Sequence, residues 1–127
     1  MDKNSNSLNW FEIPAVDIAR AQKFYESVFS ISMEPMEVMG MKMASFPSEN
    51  GNGKASGALV QSEFHKPSKE GSYIYLNANP NLQVVIDRIA KAGGNVVMPK
   101  TQISPEIGWM AFFIDSEGNQ VALHAQN

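Results

Sequence analysis

The chain has 127 residues, of which 43% are hydrophobic and 18% charged, with 13 acidic against 10 basic side chains and a formal net charge of −3. That length suits one domain with a single core, and the acidic balance, with scattered lysines, argues against a nucleic-acid partner, which needs a basic patch. With no cysteine in the chain, disulfides, thiolate metal sites and a cysteine nucleophile are excluded.

Residues 8–14, LNWFEIP, alternate as a strand, with Phe11 and Ile13 on one face and Trp10 and Glu12 on the other. Pro14 stops it, and Asp17 is suited to cap a following helix. In that helix Ile18, Ala21, Phe24, Tyr25, Val28 and Phe29 recur at the spacing of one apolar stripe. Three strands are expected next, over about 32–38, 41–47 and 56–62, with a turn at Met39-Gly40 and a loop at SENGNGKA.

The second half repeats this order. GSYIYLNA (71–78) alternates as a strand, and Asn79-Pro80-Asn81 opens a helix whose stripe is Leu82, Val85, Ile86, Ile89 and Ala90. Gly93-Gly94 supplies the left-handed residue that commonly ends a helix. Strands follow over about 95–98, 108–114 and 119–125, the last two joined through DSEGN. The chain therefore reads as an α+β protein of two tandem βαβββ modules forming a curved mixed sheet around a concave cavity. Its first repeat covers about 8–62, a linker about 63–70 and the second repeat about 71–125, all within one domain over 1–127.

FEIPAVDIARAQKFYESVFS, with an Asp at the helix start and the aromatic pair Phe24-Tyr25, resembles the opening of vicinal-oxygen-chelate domains. That superfamily includes glyoxalases, bleomycin-resistance proteins and extradiol dioxygenases. VFS stands where these proteins usually have a Gly-terminated pair, and AGGNVVMPKTQI and FFIDSEGNQVALHA resemble their later stretches. The resemblance covers about residues 8–125 and is nearest to the branch of predicted lactoylglutathione-lyase-related enzymes. It implies the glyoxalase/bleomycin-resistance/dioxygenase fold and a homodimer. It also implies a divalent ion held by His or Glu on the first and fourth strands of each repeat.

Carried over by motif, those ligand positions fall on Trp10, Tyr73, Ala122 and Ala58, or on Leu59 if the register slips by one. None is a sound ligand for a divalent ion, so no metal or other cofactor is expected, and the glyoxalase I reaction is disfavoured. The leading reading is a protein that binds an aromatic or hydrophobic small molecule without the metal. The alternative is a metal-dependent lyase or isomerase of the glyoxalase type with non-standard ligands, and whether the chain is an enzyme stays open.

Trp10, Tyr73 and Tyr75 alternate onto the presumed cavity face, with Trp109 expected to join them, as either a ligand-binding wall or core filling. Glu12 and His124, each two residues beyond a ligand position, form the candidate acid–base pair; the bland reading puts Glu12 at a wet rim and His124 at a sheet edge. His65, in the polar linker, is expected to be solvent-exposed. The methionines of MEPMEVMGMKM are either gap filler or a pocket or dimer contact. No Gly-x-Ser-x-Gly elbow supports a serine hydrolase. The polar N-terminus and the absence of any long apolar run suggest a cytoplasmic protein with no membrane partner.

Overall fold

Each helix starts on a side-chain cap and buries the stripe its sequence presents, apart from Ala90, which stays exposed. The computed structural model, which describes residues 1–127, contains β1 (Trp10–Pro14), α1 (Ile18–Phe29), β2 (Glu34–Val38), β3 (Met41–Ser45) and β4 (Ser56–Gln61) in its first half. The second half contains β5 (Tyr75–Asn77), α2 (Leu82–Ala92), β6 (Asn95–Ser104), β7 (Gly108–Ile114) and β8 (Gln120–Ala125). Asp17 caps α1 by accepting from the Arg20 amide, and Asn81 caps α2 by accepting from Val84. Gly93 ends α2 at φ 104°, the left-handed region that favours glycine.

Each half builds its own four-stranded sheet, with the same strand order in both. The strand orders are β1-β4-β3-β2 and β5-β8-β7-β6, with the first and last strands of each module paired in parallel. The curved wall thus consists of two four-stranded sheets, each with its first strand at an edge. The sequence reading ends β6 near residue 98; the strand instead continues through Pro99 to Ser104 with register shifts along its pairing to β7. Pro99 is tolerated because β6 is an edge strand, where a missing N–H leaves no ladder partner orphaned.

One core joins the modules. Phe24, Tyr25 and Val28 of α1 and Leu82, Ile86 and Ile89 of α2 share a buried cluster with Ile13, Leu59, Phe113 and Leu123 from the strands. Burying each such side chain contributes about 1.5–3 kcal/mol, and both sheets place these residues on the face the helices cover. The turn between β7 and β8 then fastens the second module to the first. Tyr25 donates its hydroxyl to Asp115 at 2.7 Å, and Asp115 also accepts from the amides of Glu117 and Asn119 and from the Asn119 side chain. Asn119 donates across to the Pro14 carbonyl at 2.6 Å. The Glu117 carboxylate, its side chain fully covered, accepts from the amides of Val16 and Asp17 and from Arg20. Burial alone would raise the Glu117 carboxyl, but hydrogen bonds from Arg20, Asp17, Ser116 and Val16 outweigh it and hold it below the usual carboxylate range.

No helix is long and apolar enough to cross a membrane.

Candidate functional site

Strand alternation sorts the candidate residues. In β1, Ile13 enters the core and Phe11 packs against it, so Trp10 and Glu12 stand on the opposite face. Across the parallel pairing Trp10 lies opposite Ser56 and Glu12 opposite Ala58. Leu59 is a core residue, whereas Ala58 packs with Met43 and Val60 on the far face. The register therefore puts Ala58, not Leu59, on the face of Glu12. In the second module Tyr75 lies opposite Ala122 and Asn77 opposite His124, while Val121, Leu123 and Ala125 face the core.

The β1 and β5 edges bound a groove of about 860 Å³, lined by 16 residues of which 11 are hydrophobic. Trp10, Glu12, Tyr73 and Tyr75 all line it. Phe11, Phe29, Ile31 and Phe46 add apolar surface from the first module, none of them assigned to the cavity by the sequence reading. Phe112 sits between the tyrosines, its ring centroid 5.2 Å from that of Tyr73 and 6.3 Å from that of Tyr75. Its alternation with core-facing Ala111 and Phe113 was visible in FFI, but nothing in the sequence says which of the two phenylalanines faces inward.

Two candidates lie elsewhere. Trp109 has the parity of Ala111 and Phe113 and packs against the helix-side core, with Lys100 Nζ 4.7 Å from its ring centroid. It does not join Trp10, Tyr73 and Tyr75. His124 keeps the parity of Ala122, yet its Nε2 donates to the Ile107 carbonyl at 2.7 Å, and it does not line the groove. Glu12 and His124 share no hydrogen bond.

Glu12 is engaged by the other histidine. His65 Nε2 lies 2.8 Å from Glu12 Oε1, and His65 Nδ1 lies 2.7 Å from Ser62 Oγ. Trp10 Nε1 donates to Glu12 Oε2 at 3.3 Å. The His65 side chain is only 19% exposed, which corrects the expectation of a solvated linker residue. A turn in which the His65 amide donates to the Ser62 carbonyl folds the linker back, and the β1–β4 pairing brings Glu12 alongside. Chemically, this arrangement can hold a carboxylate in one orientation and pass a proton between it and the Ser62 hydroxyl through the imidazole.

The side chains at the four implied ligand positions do not fit a divalent ion. Trp10, Ala58 and Ala122 carry no suitable donor atom, and the Tyr73 hydroxyl accepts a hydrogen bond from Gln120 at 3.2 Å. No group of three or more His, Asp or Glu side chains is arranged so that it could hold a metal ion, and catalytic zinc sites use about three protein ligands.

Comparison with known proteins agrees with this architecture. No family model matches the chain. A glyoxylase-like domain-containing protein of Didymella fabae is 29% identical over 119 residues, covering 91% of each chain. A protein of Mycobacterium bovis provisionally named glyoxylase CFP32 is 30% identical over 126 residues, which is 94% of this chain but 45% of that one. This chain thus spans about half the length of the mycobacterial relative. A glyoxalase/bleomycin resistance protein from Albidiferax ferrireducens superposes with a TM-score of 0.67 at 12% identity, covering 96% of this chain and 100% of its own. The fold is the paired βαβββ architecture of that group.

Proposed function

We propose that this chain is a vicinal-oxygen-chelate protein, a reading supported by its glyoxylase-like relative and its fold, and that it binds an aromatic or hydrophobic small molecule in the inter-module groove without the superfamily's metal. The observation that carries this reading is the groove itself. Its volume of about 860 Å³ falls in the range of small-molecule pockets, about 300–1,000 Å³. Mostly apolar walls with a few polar tips favour a flat ligand that can stack on rings.

Trp10, Tyr73 and Tyr75 form the exposed aromatic surface of the site, and Glu12 is its charged group. If the site moves a proton, the imidazole that serves Glu12 is that of His65, the one bonded to it. A homodimer is part of the proposal. Met36, Val38, Met41 and Met43 share one face of the β2–β3 hairpin, with Met36 42% and Val38 38% exposed, an apolar strip suited to a second copy.

A thermal-shift screen with aromatic metabolites and with zinc, nickel and manganese ions tests the reading. At a free concentration about 100 times its Kd, a ligand should raise the midpoint by about 10 °C, and Trp10→Ala should abolish the rise. A response to metal ions alone, with none to any aromatic compound, would overturn it.

A further inference from the structure

We infer that the groove selects a flat, lipophilic organic cation, with Glu12 as its counter-charge and the rings of Trp10, Tyr73 and Tyr75 as its walls. The inference rests on the proposed reading of the groove as a ligand site and narrows the ligand to one chemical class.

The groove carries charge of one sign only. Glu12 is the one charged side chain lining the groove; no lysine, arginine or histidine lines it. The nearest basic groups approach the carboxylate from outside. His65 bonds to Oε1, and Lys66 shares with Glu12 and Glu70 a smaller hollow of about 200 Å³. An anionic ligand would therefore meet a carboxylate with no cation inside the groove to balance it, in surroundings that strengthen repulsion.

The aromatic rings point the same way. Trp10 is 44%, Tyr73 52% and Tyr75 49% exposed, so part of each ring remains open to a ligand. Each face carries the negative part of the ring quadrupole, which attracts a cation and not an anion. Phe112 packs beside both tyrosines, which limits the ring freedom that binding would otherwise have to remove.

Glu12 is also held ready. One oxygen is engaged by His65 and the other by Trp10, leaving acceptor capacity on both, because each carboxylate oxygen can accept two hydrogen bonds. Its side chain remains 33% exposed. A neutral hydrocarbon ligand would cover that carboxylate and give it nothing in return, a desolvation penalty that a cation or a strong N–H donor avoids.

The test compares two fluorescent probes on the intact chain: thioflavin T, a flat lipophilic cation, and anilinonaphthalene sulfonate, an aromatic anion. Binding is followed by probe fluorescence and by quenching of Trp10 in a Trp109→Phe background. The cation should bind about tenfold more tightly than the anion, and Glu12→Gln should remove that preference. Equal affinity for both probes, or an unchanged preference in Glu12→Gln, would overturn cation selection while leaving the groove a binding site. Failure of both probes to quench Trp10 would overturn the groove reading and this inference together. The comparison on unsubstituted Glu12 needs no folded variant at that position, so it decides the matter even if Glu12→Gln does not fold.

Discussion

His65 Nε2 and Glu12 Oε1 lie 2.8 Å apart although 53 positions separate them in sequence. An ionised carboxylate only accepts hydrogen bonds, so the ring nitrogen facing it carries the proton. The other nitrogen, 2.7 Å from Ser62 Oγ, then accepts from the hydroxyl while the ring is neutral. Long-range proton–nitrogen correlation spectra of neutral His65 should show the Nε2–H tautomer. The opposite tautomer would break the assignment of this relay.

Tyr25 should resist ionisation. Full burial, reinforced by the nearby Asp115 charge and the hydrogen bond to it, pushes its phenol well above the ordinary value of 10.0. A raised folded-state value means that the unfolded chain releases this proton first. The contribution to stability is therefore complete below about pH 10 and is lost as pH rises beyond it. Absorbance titration of the three tyrosines should show one that ionises only as the chain unfolds. Tyr25→Phe should cost about 1–2 kcal/mol in urea denaturation at neutral pH.

Glu117 predicts an acid-side effect of opposite sign. Its carboxyl is held below the usual range, so its contribution is present above the unfolded-state value of about 4.3 and disappears as pH falls through the lower folded value. Glu117→Ala strands the amides of Val16 and Asp17 and should cost about 2–3 kcal/mol at pH 7. Denaturation curves should show that gap narrowing below about pH 4. A gap independent of pH would remove the electrostatic explanation.

Gly57 should not tolerate a side chain. A methyl group there would run into the Phe11 carbonyl and lie 2.6 Å from its ring. Phe11 lines the groove and Gly57 lies opposite it in the β1–β4 ladder. Gly57→Ala should therefore destabilise the chain by about 1–3 kcal/mol and also weaken probe binding. Wild-type stability in a urea titration would show that the strands can separate more freely than the packing implies.

Much of this protein is local and was legible in the sequence. The Asp17 and Asn81 caps, the Gly93 stop, the Met39-Gly40 turn and both apolar helix stripes depend on near neighbours, and all lie where the pattern places them except Ala90, which is exposed. The faces of Trp10, Glu12 and Ala122 also followed, because period-two alternation needs only a strand boundary. The end of β6 was less legible, since Pro99 reads as a breaker unless its strand is known to be an edge.

Partner choice across long separations was decided by the tertiary structure alone. Sequence pattern offered Glu12 the histidine at equivalent parity, His124, but the β1–β4 pairing and the turn after Gln61 deliver His65 instead. Trp109 shows the same limit, since β7 is apolar on both faces and its pattern does not say which face meets the helices. Residues near in sequence interact through geometry that the chain carries everywhere. Residues far apart meet only after one sheet has formed, so their hydrogen bonds belong to the assembled fold.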